Sequence, residues 1–245
     1  MIRPHIKICG LKSEALIDAV LSRGCTEIGL VHFQPSPRHL SIEDMIRLRA
    51  HVGGRAAVTV VTVDPSDELV ARIAARVRPD TLQLHGSESV ARVAEIAASS
   101  GLSIMKAISV ATAADLDAVA SFRAVADRIL LDAKRPKGSV LPGGNGVAFD
   151  WTMLDALGED RDFVLSGGIN PDNIADAVRR IRPRGLDVSS GVESAPGVKD
   201  AGLVHRLFDA VDAALTLEQT GAERAPVPTA DDGRPDHPLQ ERQSA

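Results

Sequence analysis

Two short turns carry glycines directly behind apolar runs: Ser166-Gly167-Gly168 in the string LSGGIN, and Ser189-Ser190-Gly191 in DVSSGVE. Glycine lets backbone N–H groups close on an anion, and a following helix start adds favourable dipole charge, so the pair suits a phosphate. Either turn alone is also what a tight strand-to-helix connection with positive φ needs. Their occurrence behind consecutive runs favours the anion. Other polar residues stand at the same kind of position: Lys7 and Cys9, His32 to Arg38, Asp64, Gln83 and His85, Lys106, Asp132 and Asp187. Thiol, carboxyl and imidazole groups move protons in enzymes, and the planar guanidinium of Arg38 suits a carboxylate because it offers paired donors. Plainer roles compete with these. A lone cysteine is commonly a small buried hydrophobe, Asp132 can cap a loop, His85 can line a site or be a satisfied structural histidine, and Lys7 can touch substrate or pair within the fold. Cys25, placed in a helix-to-strand turn, keeps the plain role.

These positions must be brought together by regular elements. From His5 to about Leu215 short runs rich in Val, Ile and Leu alternate with longer Ala-rich stretches whose apolar residues recur at helical spacing. Strands are predicted over 6–8, 27–32, 56–63, 81–84, 103–108, 128–131, 163–165 and 186–188, and helices over 13–23, 42–51, 66–77, 88–99, 113–122, 150–157, 171–181 and 200–217. Ser41, Ser66 and the Asn170-Pro171 pair mark helix starts. Repeated strand–helix units make a parallel sheet, and eight of them favour closure into a single-domain (β/α)₈ TIM barrel over an open sheet. In such a barrel the polar residues that follow each strand converge on one mouth. The segment 133–148, dense in Gly, Pro and Lys, follows the strand ending in Asp132 and is predicted to be a binding loop or lid on that mouth.

Composition narrows the field. The 245 residues, 44% of them apolar, are assigned as a barrel domain over 1–217 and a disordered tail over 218–245, which is rich in Pro, charge and small residues. The net charge of −5 is scattered in sign, so no basic stripe exists for nucleic acid, whereas a small anionic substrate needs only a local positive site. Two cysteines are too few for a disulfide framework and have no zinc spacing. The N-terminus has no apolar signal-peptide core and no apolar run reaches membrane-spanning length, so a cytoplasmic protein without membrane contact is expected.

The chain resembles the phosphoribosylanthranilate isomerase family. The resemblance rests on KICGL at the first strand, GLVHFQPSPRHLS from the second, LQLHG at the fourth, LLDAK at the sixth, GGNGVAFDW in the long loop, LSGGINPDNI at the seventh and GLDVSSGVE at the eighth. It runs from about Lys7 to Lys199, with the motifs in family order. It implies a TIM barrel that converts N-(5-phosphoribosyl)anthranilate into its carboxyphenylamino-deoxyribulose phosphate isomer in tryptophan biosynthesis. Carried over residue by residue, Cys9 would be the general base, Asp132 the general acid and Arg38 the contact to the anthranilate carboxylate. The substrate side is then expected to involve Lys7, Arg38, His85, Gly143, Gly144, Gly167, Gly168, Asp187, Ser189, Ser190 and Gly191. The substrate's own nitrogen is the electron sink, so no metal and no organic cofactor are expected. The partner is a small phosphorylated molecule, and the assembly a monomer or homodimer. His32 stands where the family usually carries Phe, and Asn145 where Thr is common.

Two other readings are set beside this one. A phosphosugar isomerase of histidine biosynthesis shares the barrel but uses an Asp pair, against which Cys9 argues. A barrel without activity, serving as a binding module, would have no need of Cys9, Asp132 and Arg38 together. A metal-dependent epimerase would need more His and acidic ligands, and a Schiff-base aldolase could recruit only Lys106, which shows no feature lowering its pKa.

Overall fold

Along each strand the side chains alternate between two surroundings, and this alternation builds the architecture. In the computed structural model, which describes residues 3–133 and 150–219 apart from the side chains of Glu218 and Gln219, the first strand is β1 (His5–Cys9). Its Ile6 and Ile8 join the core shared with Ile17 and Val20 of the following helix. Lys7 points the other way and reaches Gln83. The same pattern recurs in β2 (Glu27–Val31), β3 (Ala57–Thr62), β4 (Thr81–Leu84), β5 (Ser103–Val110), β6 (Arg128–Ala133), β7 (Val164–Leu165) and β8 (Gly185–Val188). All are parallel to their neighbours, and β8 pairs back onto β1 with Lys7 opposite Asp187, closing the predicted barrel. Both faces of the strands are covered, as parallel sheets require.

Helices α1 (Glu14–Ser22), α2 (Ile42–Val52), α3 (Asp67–Arg72) and α4 (Val90–Ser100) follow the first four strands. Each starts at a serine whose side chain accepts a backbone N–H of the first turn: Ser13 from Leu16, Ser41 from Asp44, Ser66 from Leu69 and Ser89 from Arg92. Such caps contribute about 1 kcal/mol each. The start predicted at Glu88 falls two residues later, because Glu88 turns inward to a buried lysine. The predicted helix over 113–122 is a 3₁₀ turn (Ala113–Asp117) leading into α5 (Ala118–Arg123), and the one after β6 is 3₁₀ throughout (Trp151–Leu157). Asn170 accepts from the N–H groups of Asp172 and Asn173 and so closes the turn at 171–173, but the helix predicted from Pro171 begins three residues later as the short α6 (Ile174–Asp176), which continues as a π-helical turn. Helix α7 (Ala201–Gln219) packs Val204, Leu207, Phe208 and Val211 into the core and runs two residues past the predicted domain end. The rest of the predicted tail lies outside the described residues. Sequence patterning gave no sign of one element, a small antiparallel hairpin of β9 (Glu193–Ala195) and β10 (Val198–Lys199), which follows a short 3₁₀ turn at Ser190–Val192.

Inside the barrel, polar and apolar layers alternate. At the N-terminal end Arg128 of β6 reaches across to Glu27 of β2, four strands away round the ring, with N···O distances of 2.7 and 3.0 Å. Thr59 also donates to Glu27, and Arg128 donates to Thr81. Met105, Ala107, Leu130 and Val164 form an apolar cluster within the barrel. Cys9, Val31 and Val61, with Phe33 against them, form another at the C-terminal mouth. No helix among the described residues is long and apolar enough to cross a membrane.

Candidate active site

At the C-terminal mouth a cavity is lined by Cys9, Val31, Phe33, Ser36, Arg38, Val61, Val63, Gln83, His85, Asp132, Ser166, Asp187 and Ser189. Cys9 ends β1 and lies nearly buried against β2. A Cβ on Gly29 would stand 2.8 Å from the Cys9 Cα and 2.9 Å from its Sγ, so β2 needs glycine there for the thiol to take its place. Burial pushes the Cys9 thiol above its ordinary value, and Asp187 adds to this. The positive charges of Lys7, Lys199 and Arg38 pull the other way. Cys25 sits at the opposite end, its Sγ turned to the carbonyls of Ile6 and Glu27 and its thiol pushed up to about 12, chiefly by burial.

A continuous polar chain crosses the floor of this cavity. The Lys7 ammonium lies 3.0 Å from Asp187 Oδ1 and donates to Gln83 Oε1 at 2.8 Å. Gln83 Nε2 lies 3.0 Å from His85 Nδ1, and His85 Nε2 lies 3.0 Å from Asp132 Oδ2. Strand period explains the geometry, since Gln83 and His85 are two residues apart and share a face. Lys7 is not among the lining residues; its ammonium is the cation beneath them. Burial opposes its charge, but Asp187, Cys9 and Glu27 together hold it above the usual lysine range.

A second network forms the rim. Arg38 is buried and grips Glu193 with both prongs, Nε to Oε1 at 2.8 Å and Nη2 to Oε2 at 2.7 Å. Gly10, at φ +82°, permits this approach, since a Cβ there would come within 2.6 Å of the Arg38 Cδ. Glu193 also accepts from Lys199 Nζ at 2.8 Å and from the Gly197 N–H at 3.1 Å. Burial pushes the Glu193 carboxyl up, but hydrogen bonds and charge from Arg38 and Lys199 outweigh it and hold the group at about 2. Lys199 in turn donates to the Ser189 carbonyl at 2.9 Å, and the Ser189 hydroxyl donates to the Cys9 carbonyl at 3.3 Å. The guanidinium is thus oriented by groups from the hairpin after β8.

Lys106 is used structurally. Its ammonium bonds Glu88 at 2.5 Å and the Gly86 carbonyl at 2.8 Å, while Glu88 accepts from the N–H groups of Asp64 and Gly86. This clasp ties together the ends of β3, β4 and β5 and fixes the loop that begins at His85.

The glycine turns meet as their spacing suggests. Gly167 and Gly168 adopt φ of +82° and +69°, and Gly191 packs so closely on the Ile169 carbonyl that no side chain could be inserted. Of the sequence-predicted residues, Cys9, Arg38, His85, Asp132, Asp187 and Ser189 line the cavity, and Gly167, Gly168, Ser190 and Gly191 belong to its β7 and β8 turns. Gly143 and Gly144 lie outside the described residues. Gln83 and Ser166, placed at the mouth by their strand-end positions, also line the cavity. Two contributors escaped sequence reasoning, Glu193 and Lys199; Glu193 gave no local signal, being 155 residues from Arg38.

Comparison with known proteins gives a consistent picture. The family model described as N-(5'phosphoribosyl)anthranilate (PRA) isomerase matches residues 6–210. The N-(5'-phosphoribosyl)anthranilate isomerase of Brucella canis is 52% identical over 206 residues, covering 84% of this chain and 93% of the relative. Among solved structures, phosphoribosyl anthranilate isomerase from Thermotoga maritima superposes with a TM-score of 0.76 at 30% identity, covering 86% of this chain and 99% of that one. A further structure of such an isomerase, in complex with reduced 1-(o-carboxyphenylamino)-1-deoxyribulose 5-phosphate, matches with a TM-score of 0.73 at 28% identity and covers the same shares.

Proposed function

Because the chain belongs to the N-(5'-phosphoribosyl)anthranilate isomerase family and is an isomerase of tryptophan biosynthesis, we propose how its cavity divides the work of the Amadori rearrangement. Asp132 acts as general acid and protonates the furanose ring oxygen as the substrate nitrogen's lone pair opens the ring to an iminium. That cation acidifies the neighbouring sugar C–H. Cys9, as thiolate, removes the proton, giving an enolamine that tautomerises to the ketone. The carbon skeleton is unchanged, and the electrons lost at one sugar carbon are gained at the other.

Arg38, whose guanidinium Glu193 holds in place through Nε and Nη2, receives the anthranilate carboxylate as a positioned charged donor. The apolar wall of Val31, Phe33, Val61 and Val63 packs the aromatic ring. The turns after β7 and β8, with Ser189 at the rim, take the phosphate, as loops after the last two strands of this fold commonly do. His85 holds Asp132, and Asp187 acts through Lys7. The observation that carries the reading is that a thiol from β1 and a carboxyl from β6 line one cavity together with a guanidinium.

The test follows turnover by the fluorescence of the anthranilate conjugate in the wild type, Cys9→Ser and Asp132→Asn. Removal of a positioned acid or base is expected to lower kcat by roughly 10²–10⁴-fold, with circular dichroism and melting unchanged. Undiminished turnover in Cys9→Ser would remove the thiol from its role, and the same result in Asp132→Asn would remove the acid.

A further inference from the structure

We propose that Gln83 is a positioning residue for the isomerisation, fixing the tautomer of the His85 ring and thereby the oxygen of Asp132 on which the transferable proton sits. The proposal rests on the reading of Asp132 as the acid. It follows from the order of donors and acceptors along the cavity floor. A lysine ammonium can only donate, so the amide group of Gln83 must present its oxygen to Lys7, at 2.8 Å. Its NH₂ then faces His85 Nδ1, at 3.0 Å. An amide NH₂ can only donate, so Nδ1 must hold a lone pair. The ring proton is left on Nε2, which donates to Asp132 Oδ2 at 3.0 Å. With Oδ2 accepting, a proton carried by Asp132 must sit on Oδ1.

Burial makes this polarity one-directional. Lys7 and Gln83 are only 2% and 1% exposed, so bulk water is not at hand to supply a substitute donor or acceptor. Lys7 is itself held by Asp187 at 3.0 Å and kept protonated by the carboxylates around it. The amide cannot flip without setting donor against donor at one end and acceptor against acceptor at the other.

Gln83→Glu reverses the polarity with almost no change of shape. A carboxylate in place of the amide accepts from Lys7 with one oxygen and demands a proton on His85 Nδ1 with the other. If the ring becomes an imidazolium, it holds Asp132 as a carboxylate. If it becomes the neutral Nδ1–H tautomer, Asp132 must spend its proton on Oδ2. Either way the cavity loses its donor.

Two readouts test this. Long-range ¹H–¹⁵N spectra of ¹⁵N-histidine-labelled protein, assigned with His85→Gln, should show wild-type His85 with Nε2 protonated and Nδ1 bare, and Nδ1 protonated in Gln83→Glu. Steady-state kinetics should show kcat of Gln83→Glu lowered about 10²-fold or more, the scale of a lost general acid, with KM within a few-fold. A wild-type ring protonated on Nδ1 would overturn the proposal even if the variant failed to fold. So would a tautomer change without loss of kcat. Asp132→Asn separates this from the underlying assignment: full turnover there would end the acid role of Asp132, whatever the His85 spectrum showed.

Discussion

Glu193→Gln isolates the charge that orients Arg38. The variant keeps the shape of the side chain but removes the anion that both Arg38 and Lys199 grip. In the folded protein the Glu193 carboxyl is lowered from 4.5 to about 2 despite burial. Because the folded value lies below the unfolded one, the charged form stabilises the fold above the ordinary carboxylate range, and this is lost as pH falls toward 2. A shift of that size corresponds to roughly 3 kcal/mol at pH 7 and, by the same linkage, about 1 kcal/mol at pH 3. For a domain of this size the difference at pH 7 converts to a Tm lowered by about 6–12 °C. Thermal melts of wild type and Glu193→Gln at the two pH values measure it, and titrating groups not coupled to Glu193 cancel in the difference. A gap of equal size at pH 3 and pH 7, or none at pH 7, would refute the view that ionised Glu193 is held by these two cations.

Two further perturbations probe the same mouth. Gly29→Ala puts a methyl group within van der Waals overlap of Cys9 and should destabilise by about 1–3 kcal/mol while lowering kcat as Sγ is displaced; a fully active variant of unchanged stability would show that the close packing does not hold the thiol in place. Arg38→Lys replaces a fork by a point charge, and the loss of a charged hydrogen bond worth roughly 1.5–3 kcal/mol should reduce kcat/KM about 10–100-fold, mainly through KM; an unchanged KM would argue against contact with the substrate carboxylate.

Much of this arrangement was legible from residue order because it depends on local rules. Buried apolar runs gave the strands, and serine caps gave the helix starts at Ser41 and Ser66. Polar residues at strand ends gave Cys9, His85, Asp132 and Asp187 as cavity members, since in a parallel barrel position along the chain fixes height in the barrel. What stayed hidden was pairing at long range. Glu88 looks like an ordinary acidic residue of a first helical turn, and only Lys106, brought beside it by β5, draws it inward. Glu193 sits in a hairpin too short and polar to register as strand. Lys7 looked able to contact substrate because nothing in its neighbourhood announces that Asp187 and Gln83 occupy its ammonium. The 3₁₀ and π-helical turns likewise reflect how each helix end docks, which periodicity does not encode.

The bridge from Arg128 to Glu27 bears on how the molecule comes apart. It joins a residue of the last four strands to one of the first four, as does the pair of Lys7 with Asp187. Were the two halves to separate, each would be left with ionic groups stripped of their counterparts in a partly dry interior, a penalty of several kcal/mol for each ion. Half-barrels are therefore poor stopping points, and the strands open together or not at all.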